Sequence, residues 1–151
     1  MFGQACIAPP DGEVSDLLSI EIERGDDHVT LRQTSYIERM VQAHLLDGRA
    51  DGSVDLKRHR GQPPCDDQLA QSVLDALAQD ADAVDPELRR RFQSLVGALL
   101  YCATNTRPDV AYSIGMLCRA MSRPNDDLYA RAVRVLLYLY HTRTLGLRYE
   151  A

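Results

Sequence analysis

The sequence predicts a mostly helical α+β fold: an N-terminal β-hairpin plus helix, then a three-helix antiparallel bundle and a short C-terminal strand. Apolar and polar side chains alternate over residues 18–22, and the alternation resumes over residues 29–31 after a Gly-Asp-Asp turn. Helix-start motifs recur three times from residue 85 onward, each followed by apolar residues at helical spacing. A chain of 151 residues is also long enough to bury a core as one domain.

The first predicted segment, residues 1–46, contains the hairpin and one helix. Thr34 or Ser35 is expected to cap this helix, because hydroxyl side chains accept hydrogen bonds from the first free amides of a helix. Residues 47–85 are rich in Gly, Pro and charged side chains, and we interpret them as an acidic linker. Apolar residues at helical spacing between Leu69 and Leu77 predict a short helix within this linker.

The third predicted segment, residues 86–151, contains the bundle and the closing strand. The predicted elements are helices from Asp85-Pro86-Glu87 to about Thr104, from Thr106-Arg107-Pro108-Asp109 to about Met121 and from Pro124-Asn125-Asp126-Asp127 to about Thr142, and a strand from Leu145 to Tyr149. Each helix start contains a polar residue that can cap the helix, a proline and an acidic residue. Caps bind the free amides of the first turn, proline lacks an amide hydrogen, and acidic side chains favour the positive end of a helix. Because the connections are very short, neighbouring helices are expected to pack antiparallel.

Composition excludes several classes of protein. The longest uncharged stretch, residues 92–106, is shorter than a membrane span, and the N-terminus has no basic and apolar signal pattern, so an intracellular protein without a membrane partner is expected. The four cysteines show no zinc-ligand spacing. Although the net charge is −5, residues 86–151 carry 10 basic and 5 acidic side chains. This basic part could attract nucleic acid, or its arginines could form ordinary solvated helix faces.

Asp26 and Asp27 follow Gly25 at the tip of the hairpin, where two adjacent carboxylates could form a polymerase-like metal site. Two-metal chemistry needs carboxylates from separate strands, and the acids that precede this hairpin are too close in sequence to supply another core strand. We therefore interpret both aspartates as exposed turn residues, which tolerate turn backbone angles. No metal site and no catalytic residue are predicted.

Three stretches carry a family resemblance. They are LLSIEIERGDDHVTLRQTSYIERMV, FQSLVGALLYCATNTRPDVAYSIGMLCRAMSRP and RAVRVLLYLYHTRTLGLRY. The second is similar to the order Tyr-X-Ser-Leu-Val-Gly-X-Leu-Leu-Tyr followed by Thr-Arg-Pro-Asp-Ile-Ala-Tyr, and the first to a Phe-Leu-Gly-Ile-Glu-Ile strand with its hairpin. The chain thereby resembles the reverse transcriptase region of copia-type retrotransposon Pol polyproteins, over most of residues 13–149.

This resemblance implies a fragment comprising the end of the palm and the thumb-like helices of an RNA-directed DNA polymerase. It also implies that the partner is an RNA or DNA template-primer duplex, held by a primer-grip-like hairpin and the following helices. In that family the catalytic aspartates lie in an upstream polymerase core, and a ribonuclease H domain follows downstream. The resemblance implies that this core and this domain are further partners. The fragment alone is expected to be inactive and without a cofactor, since Mg²⁺ is expected only for the complete polymerase.

The resemblance also supplies candidate site residues. The nucleic-acid-binding candidates are Arg107, Arg119, Arg131, Arg134 and Tyr138, and the primer-grip-like residues are Leu18, Ser19, Ile20 and Glu21. Arg107 could instead pair with Asp109 or cap the preceding helix. Arg131 and Arg134 could instead belong to a solvated face.

Some departures from the family pattern favour other functions. Ser19 stands where the pattern has glycine, and Val133, Leu137 and Tyr140 stand where basic residues are usual. The added apolar side chains could form a helical protein–protein interaction module derived from a transposon, or could pack inside the fold. An autonomous polymerase built on the Gly-Asp-Asp turn is a third possibility, for which we expect no nucleotide incorporation.

Overall fold

The computed structural model describes residues 16–47 and 55–150. Parts of the predicted N-terminal segment, residues 1–15, and of the predicted linker, residues 48–54, lie outside the described residues. The predicted mostly helical α+β class is confirmed. In the described ranges, every helix is too short or too polar to cross a membrane.

The elements follow the predicted order. The strands are β1 (Asp16–Leu17), β2 (Ile20–Arg24), β3 (His28–Arg32) and β4 (Leu147–Glu150); the helices are α1 (Thr34–Val41), α2 (Leu69–Leu77), α3 (Pro86–Asn105), α4 (Ala111–Cys118) and α5 (Asp126–His141). A π-helical turn, Gln42–Leu46, extends α1, and short 3-10 turns, Ala81–Ala83 and Pro108–Val110, precede α3 and α4.

Side-chain caps start two of the bundle helices as predicted. The Asp85 carboxylate accepts a hydrogen bond from the Glu87 amide at 3.0 Å at the start of α3. The Asn125 side chain accepts one from the Leu128 amide at 2.9 Å at the start of α5. Each cap satisfies an amide that has no partner within its own helix, which explains why these starts could be predicted from sequence.

The middle helix of the bundle starts differently from the prediction. The chain passes through the 3-10 turn Pro108–Val110 before α4, and no side chain caps either element. The Asp109 carboxylate, which could have favoured the positive helix end, is instead bound by Arg107. α4 ends at Cys118, three residues before the predicted end at Met121, because 3-10 turns replace the α-helical bonds over residues 119–123.

The four strands form one antiparallel sheet in the order β1-β2-β3-β4. The predicted hairpin is the β2–β3 pair, in which Ile22 is opposite Leu31. β4 pairs with β3, and Leu147 is opposite Leu31. The sequence predicted a closing strand but not its partner, so the structure adds the finding that the two ends of the described chain share a sheet.

The apolar face of this sheet stays partly exposed. Strand register places five aliphatic side chains on one face, namely Ile20, Ile22, Val29, Leu31 and Leu147. None of the five belongs to the buried core of the described residues. Among residues 16–32, only Thr30 is buried, and it lies on the opposite face.

The buried core lies between the helices. Fully buried side chains include Phe92, Leu95 and Leu99 of α3, Ile114 and Leu117 of α4, and Leu128, Leu136 and Leu139 of α5. Ile37 of α1 and Val73 of α2 belong to the same cluster, so helices from all three predicted segments share one core. α3 and α5 each contribute six buried side chains to this core, and the opposite side of α3, with Arg90, Gln93 and Ser94, is exposed.

The predicted cap of α1 is wrong. Gln33 is the N-cap residue, and neither Thr34 nor Ser35 caps the helix through its own side chain. The Glu21 carboxylate of β2 accepts hydrogen bonds from the Ser35 amide at 2.8 Å and from the Ser35 hydroxyl at 2.7 Å. Thr34 donates its hydroxyl to the Arg143 carbonyl at 3.0 Å. Tertiary contacts therefore replace the local cap.

Replacing Glu21 with alanine should destabilise the fold by about 1 kcal/mol, the usual cost of losing a helix cap. Burial raises the pKa of the Glu21 carboxyl, but hydrogen bonds from Ser35 and Thr34 outweigh it, so the pKa lies below the ordinary value. The stabilisation should be present above pH ~4.3, the unfolded value, and be lost as pH falls through the lower folded pKa. Urea unfolding at pH 7 and pH 3 measures both effects.

Glu23→Ala is the matched control, because it removes an exposed ion pair to Arg32 from the same strand. It should cost well under ~1 kcal/mol. An equal loss of stability in the Glu21 and Glu23 variants at pH 7 would contradict the assignment of Glu21 as the cap of α1.

Candidate nucleic-acid interface

Two of the four primer-grip-like residues, Leu18 and Ser19, form a tight turn between β1 and β2. Leu18 and Ser19 have φ angles of 53° and 65°, in the left-handed region that favours glycine. Tyr101 of α3 donates its hydroxyl to the Leu18 carbonyl at 2.5 Å, and Arg39 of α1 donates to the Ser19 hydroxyl at 2.8 Å. The turn is thus fixed from two helices while the Leu18 side chain stays 73% exposed.

The other two primer-grip-like residues lie in β2 and have different surroundings. Ile20 is opposite Leu17 and is partly exposed. The Glu21 carboxylate accepts two hydrogen bonds from Ser35 at the start of α1, so the Glu21 side chain stabilises the fold. Of the four primer-grip-like residues, Leu18 and Ser19 form the turn itself.

Asp26 and Asp27 are exposed turn residues between β2 and β3. Asp27 accepts a hydrogen bond from His28 Nδ1 at 2.9 Å, and this bond is the main reason that the pKa of the Asp27 carboxyl is lowered. Within residues 16–47 and 55–150, no three His, Cys, Asp or Glu side chains are placed to hold a metal ion.

Arg107 is buried between the ends of α3 and α5, with only 2% of its surface exposed. Its Nε and Nη2 atoms donate to the two Asp109 oxygens at 2.9 and 2.7 Å. Its Nη1 donates to the Thr142 carbonyl at 3.0 Å, and Nη2 also donates to the Thr142 hydroxyl at 2.7 Å. The pairing with Asp109 that the sequence left open is therefore present, and the guanidinium offers no surface to a phosphate in this conformation.

Tyr138, which is partly exposed, belongs to the same cluster of side chains. Its hydroxyl donates to Asp109 Oδ2 at 3.0 Å, and the Arg107 guanidinium carbon lies 5.6 Å from the ring centroid. Burial raises the pKa of the Asp109 carboxyl, but the hydrogen bonds and charge of Arg107 outweigh it, and the pKa is lowered. Burial and the hydrogen bond to Asp109 raise the pKa of the Tyr138 hydroxyl. The structure thus brings two predicted binding residues together around Asp109, so both bind a carboxylate of this chain.

Cys102 lies next to this cluster and accepts a backbone hydrogen bond from the Arg107 amide at 2.9 Å. Burial raises the pKa of its thiol to about 12, although the charge of Arg107 acts in the opposite direction. The thiol is therefore protonated at neutral pH and inert as a nucleophile.

Arg131 and Arg134 lie on α5 and bind the same acidic residue. Arg131 Nη1 donates to Asp66 Oδ1 at 2.6 Å, and Arg134 Nη1 donates to Asp66 Oδ2 at 2.9 Å. Arg131 also pairs with Asp127 through Nε at 3.0 Å. The two arginine side chains are only 16% and 15% exposed, so they belong to an ion-pair network and not to a solvated face.

The apolar replacements on α5 pack inside the fold. Leu137 is 1% exposed, and Val133 and Tyr140 are partly buried against the core. Val133 and Leu137 line a pocket of about 450 Å³ together with Leu45. These three side chains therefore do not form the exposed apolar patch that would favour an interaction module.

Arg119 is the exposed member of the predicted basic set. It follows α4 as the C-cap residue, and its Nη1 lies 3.8 Å from the Met116 sulfur. The predicted residues thus fall into three groups: the Arg107–Tyr138 cluster, the Arg131–Arg134 pair, and Arg119. Sequence reasoning missed the role of Asp66, because its partners lie 65 and 68 residues away.

Three relatives are similar to parts of this chain. A putative transposon Ty5-1 protein of Saccharomyces cerevisiae is 43% identical over 60 residues, which are 40% of this chain and 20% of the relative. An uncharacterized mitochondrial protein of Arabidopsis thaliana is 31% identical over 137 residues, 90% of this chain and 49% of the relative. The retrovirus-related Pol polyprotein from transposon TNT 1-94 of Nicotiana tabacum is 24% identical over 133 residues, 87% of this chain and 9% of the relative.

The chain spans less than half the length of each of these relatives. No family model matches the chain, and no solved structure matches it. The similarities support an origin in a retrotransposon Pol polyprotein. The assignment to its reverse transcriptase region stays a prediction.

Ser19→Gly should stabilise the fold by roughly 1 kcal/mol, because a side chain costs that much in the left-handed region. Ser19→Ala is the matched control, since it removes the same hydroxyl contact to Arg39 but keeps the backbone strain. In urea unfolding, the free energy of unfolding of Ser19→Gly should exceed that of wild type, and that of Ser19→Ala should equal the wild-type value or lie below it. Equal stability of the two variants would contradict the strain at this position.

Arg107→Ala should destabilise the fold by about 1.5–3 kcal/mol, the usual contribution of hydrogen bonds made by a charged group. The substitution removes the Arg107 hydrogen bonds from the Thr142 carbonyl and from the Asp109 carboxylate, which is 37% exposed and keeps its bond from Tyr138. Arg119→Ala, at an exposed arginine, should stay within about 0.5 kcal/mol of wild type. Thermal and urea unfolding, followed by circular dichroism, measure the change in free energy of unfolding for each variant. Similarly small changes in Arg107→Ala and Arg119→Ala would contradict a structural role for Arg107.

Proposed function

We propose that this chain is a segment of a copia-type RNA-directed DNA polymerase and that its role is to hold the template-primer duplex. In this proposal the catalytic carboxylates and the Mg²⁺ ions that they bind belong to another segment of the polymerase, so residues 1–151 alone do not incorporate nucleotides. The retroelement relatives and the order of motifs over residues 92–124 support this assignment.

The observation that carries the proposal is the turn at Leu18 and Ser19. Ser19 occupies the position that the copia-type pattern fills with glycine, and its φ of 65° is the conformation for which glycine is favoured. A backbone conformation that favours glycine at this position supports the assignment of this turn to the primer-grip-like region. Contacts from Tyr101 and Arg39 hold the turn, so it presents the exposed Leu18 side chain as a fixed surface for a primer strand.

Contacts to the duplex in this proposal are independent of sequence, because they involve the sugar-phosphate backbone. Arg119 is exposed and supplies one phosphate contact without any rearrangement. The partly exposed apolar face of the sheet, including Ile22 and Leu31, suits packing against the upstream polymerase core.

Titration of the chain into fluorescently labelled RNA–DNA and DNA–DNA primer-template duplexes, across a salt series, tests the proposal. The logarithm of the affinity should fall linearly with the logarithm of salt concentration, by roughly 0.9 per phosphate contacted. Arg119→Ala should reduce this slope by about one contact, or roughly 0.9. Leu18→Ala should weaken binding at every salt concentration without changing the slope, because it removes an uncharged contact.

Two exposed residues elsewhere provide matched controls. Leu74 of α2 is 54% exposed, and Arg90 of α3 is an exposed arginine paired with Glu87. Leu74→Ala and Arg90→Ala should leave the affinity and the salt slope unchanged. The proposal fails if neither wild type nor Asp66→Asn, in which Arg131 and Arg134 lose their carboxylate partner, binds either duplex at low salt. It also fails if the control variants weaken binding as much as the test variants.

A further inference from the structure

The carboxylate of Asp66 occupies an anion site between two guanidinium groups. Each of its oxygens accepts a hydrogen bond from a different arginine, Arg131 at 2.6 Å and Arg134 at 2.9 Å. The two arginines are three residues apart on α5, so their side chains lie on the same face of the helix. The site is formed by α5, whereas its occupant comes from the segment before α2.

This segment, residues 55–66, makes further contacts along α5, and we name it the strap. The Pro63 carbonyl accepts a hydrogen bond from Arg134 Nε at 3.1 Å. The Arg58 carbonyl lies 3.3 Å from His141 Nε2, near the end of the helix. The strap therefore covers the face of α5 from Arg131 to His141, which includes two of the predicted phosphate contacts.

A carboxylate and a phosphate diester are recognised by arginine in the same way. Each presents two oxygens that can accept charge-assisted hydrogen bonds from guanidinium groups. An arginine pair that holds a carboxylate through both oxygens is therefore already positioned to hold the two non-bridging oxygens of a phosphate.

We propose that the strap is an autoinhibitory element in which Asp66 occupies the place of a nucleic-acid phosphate between Arg131 and Arg134. This inference rests on the proposed function, because the displacing ligand is the template-primer duplex. The Asp66 side chain is 35% exposed, so water screens its ion pairs and weakens them. A duplex with many phosphates can then displace a single carboxylate, and the released arginines add phosphate contacts.

Asp66→Asn tests the inference, with Asp67→Asn as the matched control. Both substitutions remove one negative charge from adjacent positions, but only Asp66 binds the arginine pair. In the duplex titration, Asp66→Asn should tighten binding at least about fivefold more than Asp67→Asn, a typical coupling between two linked sites. Its salt slope should rise by one to two phosphate contacts, or roughly 0.9–1.8.

The gain must depend on the arginines of the site. Adding both Arg131→Ala and Arg134→Ala to Asp66→Asn should return the affinity and the salt slope to wild-type values. A gain that persists in the triple variant would overturn the inference, since the released charge would then act somewhere else.

Hydrogen exchange on the wild-type chain provides a second measurement, which does not depend on the folding of the Asp66 variant. Saturating duplex should speed amide exchange within residues 55–66, including the Arg58 and Arg60 amides that bond to Asp55 and Lys57. Unchanged or slower exchange of these amides in the complex would overturn the inference.

The outcomes separate this inference from the proposed function. Equal duplex affinity of Asp66→Asn and Asp67→Asn, with wild type also binding, overturns the strap and leaves the duplex-holding function in place. Duplex binding by Asp66→Asn but not by wild type supports an autoinhibitory strap. Absence of binding by wild type and by both variants overturns the duplex-holding function and the strap that depends on it.

Discussion

The buried guanidinium of Arg107 connects three elements that would otherwise end without partners. It follows α3, pairs with Asp109 at the start of the 3-10 turn before α4, and donates to the Thr142 carbonyl at the end of α5. The last carbonyls of a helix have no intrahelical partner, so this contact satisfies a group that needs one. A buried charge is tolerated only when it is fully paired, and the paired carboxylate meets that condition.

The position of β4 follows from the end of α5. After Thr142 the chain turns within a few residues and returns along β3, where Leu147 is opposite Leu31. Gly146 makes this approach possible, because a Cβ atom at that position would lie 2.1 Å from the Leu31 carbonyl oxygen. The buried hydrogen bond from Thr106 to Gln33, at 2.8 Å, connects the end of α3 to the residue that follows β3. The bundle therefore orients the hairpin.

The predicted binding arginines serve two different purposes. Arg107 acts within the fold, whereas Arg131 and Arg134 contact a partly exposed carboxylate that another anion could replace. The difference lies in the guanidinium groups, because the two carboxylates are about equally exposed, 37% for Asp109 and 35% for Asp66. The Arg107 side chain is 2% exposed, whereas those of Arg131 and Arg134 keep 16% and 15% of their surface open to solvent. Burial of Leu137 and Val133 beneath this surface keeps α5 in place whichever anion is bound.

Local sequence determined the elements whose causes are local. Asp85 and Asn125 cap their helices through residues two and three positions away, and the hairpin follows from alternation on both sides of Gly25. The exposed position of Asp26 and Asp27 followed from the same turn pattern. The Arg107–Asp109 pair was one of two alternatives, because neighbouring charges suggest a pair but do not reveal burial.

Only the tertiary structure decided which distant groups meet. Glu21 caps α1 from another element, β4 pairs with β3 across the whole bundle, and Asp66 occupies the arginine pair of α5. Each of these contacts joins residues that no helical or strand period relates. Sequence by itself therefore determined what the elements are and which side chains carry charge, whereas packing decided which charges are buried, paired or open to a ligand.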